Sequence, residues 1–189
     1  AQALGKDPME VMYDLLVGND GKELFYQPLG GYQGYSLDWQ KTFLEHPNVL
    51  FGLSDGGAHC GVIADAGMPT FIMTHWGRDR TKGEKMELEF IVKSLTSDTA
   101  EAYGMFDRGQ LVPGMIADIN VIDFDSMRLH RPEAIFDLPA GGRRLVQRAD
   151  GYEMTIKAGE VTFANGEHTG ALPGKLVRRS EVSARAGTA

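Results

Sequence analysis

The sequence has a single cysteine, Cys60, which rules out an internal disulfide framework and a cysteine-rich zinc site. It has no apolar run approaching the ~20 residues that a membrane span requires. Its opening residues, AQALGKDPME, lack the basic-then-apolar layout of a secretory signal. Basic charge is in short supply: 19 Lys and Arg against 26 Asp and Glu leave a net charge of −7. A general nucleic-acid binder draws its affinity from neutralising phosphates with a basic face, so that class is excluded. The expectation is a soluble protein of a reducing, cytoplasmic compartment, with neither nucleic acid nor membrane as partner. What the chain does have is glycine, 24 of its 189 residues, well above the average of about 7%. Many tight turns follow. With 42% hydrophobic and 24% charged residues the composition is ordinary globular material.

The first half reads as helices around short strands. Asp7-Pro8-Met9-Glu10 opens a helix, with Asp7 as cap, Pro8 at the first helical position and Glu10 completing a capping-box-like pair. Gly18 is its expected stop. A second helix is expected from Ser36, ending before His46-Pro47 because the residue before proline leaves helical geometry. The apolar run Val49-Leu50-Phe51-Gly52-Leu53 suits a strand buried on both faces, as in a parallel α/β sheet. Helical spacing of Leu88, Ile91, Val92 and Leu95 predicts a third helix from about Gly83 to Leu95. A short fourth is expected with Asp98 as its cap and Gly104 as its end.

After Leu111 the pattern changes. Pro113-Gly114 signals a type II turn, and Ile119 and Val121 mark a strand. Asp150-Gly151, Ala158-Gly159 and Asn165-Gly166 punctuate short runs such as Tyr152–Lys157 and Glu160–Ala164, and Asn-Gly between alternating runs is the strongest short hairpin signal. The organisation expected is α/β over residues 1–110, a small antiparallel β-domain over 111–179, and a flexible tail over 180–189.

Ser54-Asp55-Gly56-Gly57-Ala58-His59 carries the strongest chemical signal. An Asp at the carboxyl end of a buried parallel strand stands where α/β enzymes place functional groups. Such a carboxylate can accept a proton from a metal-bound water or bind a metal through oxygen. The alternative is that Asp55 caps the next turn while the glycines satisfy backbone geometry. The five histidines, His46, His59, His75, His130 and His168, are scattered, with no His-x-His and no HExxH. His75-Trp76-Gly77-Arg78-Asp79-Arg80 is a second polar cluster: Arg78 or Arg80 can hold a substrate carboxylate through a forked pair of hydrogen bonds, or the run is a solvated loop. Cys60 reads as a small buried thiol. The Gly30–Tyr35 glycines lack the strand-GxGxxG-helix order, so a dinucleotide site is not expected.

Taken in order, Leu53-Ser54-Asp55-Gly56-Gly57-Ala58-His59, Leu95-Thr96-Ser97-Asp98 with Ala100-Glu101, Asp107-Arg108-Gly109, Pro113-Gly114, Ala117-Asp118-Ile119 and Val121-Ile122-Asp123 resemble a metal-dependent amidohydrolase. Asp137-Leu138-Pro139-Ala140-Gly141-Gly142-Arg143-Arg144 and the run Asn165 to Arg178 resemble the N-acyl-D-amino-acid deacylase (D-aminoacylase) branch. The resemblance implies the C-terminal part of a (β/α)8 TIM-barrel hydrolase together with a small antiparallel β-domain. It implies that Asp55 is the general acid/base, and in many members also a metal ligand. Ser54 and Gly56 would shape its turn, His59 would lie near the substrate mouth, and zinc would be the metal, as one or two ions.

The departures are as informative. The family's first-strand His-x-His, its bridging ligand and its two later histidines have no counterpart here. A complete barrel alone takes about 250 residues. The metal ligands are therefore expected mostly outside this chain, and the isolated chain is expected to be inactive. The implied partners are a small N-acyl amino acid and either the rest of a parent enzyme or another copy of the chain. Two alternatives stand beside this reading. One is a non-catalytic fragment that oligomerises through exposed sheet edges; the other is a cyclic-amide hydrolase of the hydantoinase or dihydroorotase kind. Asp55 is expected to face a cleft.

Overall fold

The structure is a computed structural model, and it describes residues 1–26, 31, 33–52 and 54–178. Gly30 and Tyr32 of the early glycine run, Leu53, and the expected tail at 180–189 lie outside those residues. Two compact units are formed, Ala1–Leu37 and Asp38–Ala189. No helix among the described residues is long and apolar enough to cross a membrane.

In the first unit, α1 (Pro8–Leu16) begins where the sequence places it. The Asp7 carboxylate accepts from the amides of Met9 at 2.8 Å and Glu10 at 3.4 Å, satisfying two donors that the helix itself leaves unpaired. The Glu10 side chain does not return the favour in a box; it pairs with Lys6 at 3.3 Å. The stop comes at Val17, one residue before the expected glycine. A single turn, α2 (Gly18–Gly21), follows with Asn19 and Asp20 in the left-handed region. None of the described residues of this unit is buried, and Met9, Met12, Tyr13, Leu15 and Leu16 are exposed.

The second unit holds the core. Its helices are α3 (Asp38–Leu44), α4 (Met68–Phe71) running into a π-helix (Ile72–Asp79), α5 (Leu88–Leu95) and α6 (Ser97–Ala102). The α4–π segment is where sequence reading falls short: it placed His75 to Arg80 in a polar cluster with no helix. In fact Ile72, Met73, Thr74 and Trp76 are buried, Trp76 to 2% exposure. The π-helix packs on α5, whose Ile91 is fully buried; a methyl group added at Gly77 would stand 3.2 Å from the Ile91 side chain. Pro69 near the start of α4 and the fourfold spacing of Ile72, Trp76 and Arg80 were the available signals.

Arg80 is 4% exposed yet satisfied. It donates to the carbonyls of Lys82 at 2.6 Å and Glu84 at 3.1 Å, contacts the Asp38 carboxylate, and stacks over Trp76 with its guanidinium 4.5 Å from the ring centroid.

Three further helical boundaries differ from expectation. The second helix starts at Asp38, two residues late. The third starts at Leu88, because Gly83 is left-handed and Glu87 extended. In α6, Asp98 lies inside the first turn and pairs with Lys93; Thr96 occupies the cap position.

Val49 to Gly52 form no strand. Every strand pair among the described residues is antiparallel and lies between residues 119 and 168. A strand buried on both faces needs hydrogen-bonded neighbours, and 49–52 has none. Instead Phe51 anchors the segment, edge-to-face with Phe90 at 6.0 Å.

The β region follows the sequence closely. A four-stranded sheet runs in the order β1 (Ile119–Ile122), β6 (Tyr152–Lys157), β7 (Glu160–Ala164), β8 (Glu167–His168). Ala158-Gly159 and Asn165-Gly166 make its two-residue turns with both residues of each at positive φ. Two smaller pairs join β2 (Arg128–Leu129) to β5 (Ala149–Asp150) and β3 (Glu133–Leu138) to β4 (Gly142–Val146). Asp118, just before β1, ties these elements together: it accepts from Lys157 at 2.7 Å, the Ala158 amide at 2.9 Å and Arg108 at 3.3 Å.

Candidate functional site

Asp55 follows directly on the segment that Phe51 pins into the core, and its side chain is exposed. Ser54 is half-buried beside it. From Gly56 the chain makes a closed loop through successive turns and returns at Ala66. The loop's neck is tight: a methyl group on Gly56 would stand 2.9 Å from the Cα of Ala66, so only glycine allows the two arms of the loop to meet there. The Asp55 carbonyl accepts from the Ala58 amide at 3.1 Å. Gly57 and His59 take positive φ, and the His59 carbonyl accepts from Val62 and Ile63 at 2.7 and 3.0 Å.

At its far end the loop is held to β4. The Leu145 amide donates to the Cys60 carbonyl at 2.6 Å, and the Arg143 guanidinium donates to the Gly61 carbonyl at 3.1 Å. The segment carrying Asp55 and the Gly-Gly-Arg-Arg run of 141–144 are thus in physical contact across some eighty positions of chain.

Ser54, Asp55, Gly56 and His59 therefore belong to one loop, with Asp55 and His59 exposed. Arg78 belongs elsewhere, on the π-helix. Its guanidinium donates to the carbonyls of Phe124, Asp125 (3.0 Å) and Met127 (2.7 Å), and grips Asp79 with two further bonds at 2.7 and 3.0 Å. That forked pair holds Asp79 below the usual carboxylate range.

Arg78 also lines an open cavity of about 510 Å³ whose walls are Phe71, Thr74, His75 and Asp79 on one side and Asp125–Leu129 on the other. Asp55 does not line it. His75 stacks parallel on Phe71, ring centroids 4.9 Å apart, and meets Trp76 edge-on at 5.3 Å. Its Nε2 is buried with no hydrogen-bond partner. Burial, with the Arg80 charge adding to it, pushes the imidazole below its ordinary value, against an opposing pull from Asp79. The 125–129 wall was not legible as a site component in the sequence, because long-range contacts bring it here, those of Arg78 among them.

Among the described residues no group of three or more His, Cys, Asp or Glu side chains converges as a metal site would require. These residues do not by themselves fit a metal ion. Asp55 could supply one oxygen ligand, and the rest of a coordination shell would have to come from residues outside those described.

Compared with known proteins, residues 2–163 match the family model described as "Amidohydrolase family". No curated protein and no solved structure matches the chain.

Proposed function

As the chain belongs to the amidohydrolase family, we propose that it is the C-terminal portion of a hydrolase that cleaves the amide bond of N-acyl D-amino acids, with Asp55 as its general acid/base. The observation that carries this reading is Asp55 itself: a carboxylate presented to solvent at the base of a closed, glycine-necked loop, inside the stretch that matches the family.

In the reaction, water adds to the amide carbonyl carbon and the C–N bond breaks, leaving a carboxylate and an amine. Asp55 takes a proton from the attacking water and delivers it to the departing nitrogen, a double duty that one carboxylate can perform because the two transfers follow one another. Ser54 and Gly56 keep the carboxylate at the loop's base, and His59, exposed on the same loop, is available for substrate contact. Family members generally bind metal ions, and by this reading zinc is held mostly by residues of the barrel units outside those described. Barrel strands of other polypeptide would supply the walls of a cleft around Asp55, which is exposed here and does not line the 510 Å³ cavity. The acyl-amino-acid substrate, in place of a cyclic amide, rests on the resemblance of the 137–144 and 165–178 runs.

The test is a substrate panel of N-acyl D-amino acids, their L-enantiomers and cyclic imides, offered to the complete polypeptide encoded around these residues. Turnover of the D-acyl compounds supports the reading; turnover of the imides alone moves the substrate to the cyclic class. A second reading is association with another copy of the chain through exposed sheet edges, for which the outer strands β1 and β8 of the four-stranded sheet are the candidates. Light scattering tests it: a monomer at micromolar concentration refutes self-association.

A further inference from the structure

The β3–β4 hairpin carries a role that the hydrolase reading leaves unassigned. Its own closure is explained internally: Arg144 grips Asp137 with two bonds, at 2.7 and 2.6 Å, bracing the two strands against each other. Arg143, its neighbour, points elsewhere and donates to the Gly61 carbonyl, while the Leu145 amide, on the edge of β4, takes the Cys60 carbonyl. Two consecutive carbonyls at the tip of the Asp55 loop are therefore both satisfied by one strand.

The loop needs such a support. Residues 54–66 form no helix and no strand among the described residues, and Gly56 and Gly57 give the chain its least restricted backbone immediately after Asp55. Its neck is closed by the Gly56–Ala66 contact, which fixes where the loop begins and ends but not how its body is inclined. The tip contacts supply the missing constraint. With neck and tip both held, the body of the loop between them is constrained at two points.

We propose that Arg143 is a positioning residue for Asp55: through Gly61 it holds the tip of the 54–66 loop on β4, and so sets the direction of the carboxylate. The inference rests on the hydrolase reading for its catalytic consequence, while the clamp stands on geometry alone.

Two measurements separate the parts. In the 189-residue chain, amide hydrogen exchange across 56–63 reads the clamp directly. Arg143→Ala is expected to raise it about threefold, the worth of one solvent-exposed hydrogen bond at the low end of the usual range, with Arg143→Lys recovering part of the protection. In the complete polypeptide, Arg143→Ala is expected to lower kcat about tenfold with KM within twofold, and Arg143→Lys to restore much of the rate. Unchanged exchange in Arg143→Ala overturns the clamp. Raised exchange with unchanged kcat, where Asp55→Asn is inactive, overturns the positioning role. An Asp55→Asn enzyme that retains full activity instead sinks the hydrolase reading, and the catalytic half of this inference with it.

Discussion

Replacing Arg78 with alanine separates a structural arginine from a substrate-binding one. The guanidinium donates to three carbonyls of the 124–127 turn, at Phe124, Asp125 and Met127, and lies 5.6 Å from the centre of the Phe124 ring. Hydrogen bonds from a charged donor contribute about 1.5–3 kcal/mol each when well buried. The Arg78 side chain keeps 25% of its exposure, so water competes for the released carbonyls and about 1 kcal/mol per bond is the better figure. The Asp79 pair is exposed and adjacent in sequence, and adds at most a few tenths. The sum is a loss of about 3 kcal/mol on unfolding, read as a lower urea midpoint with an unchanged slope. Arg78→Lys should recover less than half, since an ammonium cannot reach three carbonyls in the geometry of a planar fork. A loss below about 1 kcal/mol would refute the reasoning. A raised KM with an unmoved midpoint would return Arg78 to the role of substrate ligand.

Two further perturbations address the fold. Gly151 sits at φ 90° with its missing methyl direction 2.7 Å from the Met127 backbone, so Gly151→Ala should cost about 3 kcal/mol and lower the melting midpoint by about 10 °C; a drop of under 2 °C contradicts that packing. Asp118 is half-buried, which works against its charge, but Lys157, the Ala158 amide and Arg108 outweigh this and hold its carboxyl below the ordinary value. The unfolded chain therefore binds that proton more readily than the folded one, and the stabilisation present above about pH 4 is lost as pH falls through the folded value. Urea midpoints between pH 3 and pH 6 should fall with acid, and less steeply in Asp118→Asn; an equal slope in the variant removes Asp118 as a contributor.

The parts of the fold legible in the sequence are those whose cause is local. Asn165-Gly166 and Ala158-Gly159 can adopt the paired positive φ values of a two-residue turn, and the strands they join follow at once. Asp7 and Pro8 start α1 by satisfying and omitting the amides that a helix end leaves over. The parts that were not legible are set by distant partners. The π-helix packs on α5, and its local signals, Pro69 and the spacing of Ile72, Trp76 and Arg80, are masked by the polar run ending in Arg78-Asp79-Arg80. The 49–52 run is apolar enough for a central strand, yet a strand exists only where another strand pairs with it, and composition does not supply one. The same holds at the site. Asp55, Ser54, Gly56 and His59 stand out together because they are contiguous, while the contacts of their loop with Leu145 and Arg143 join positions far apart in sequence and leave no periodic trace.

The most direct test of the central claim is the rate of N-acyl D-amino acid hydrolysis by the complete polypeptide, compared between Asp55 and Asp55→Asn. Asparagine keeps the shape and cannot carry the proton, so turnover should drop by about 10²–10⁴, the usual worth of general acid–base catalysis, while the melting midpoint stays in place. Hydrolysis at the original rate by the Asp55→Asn enzyme would contradict the account.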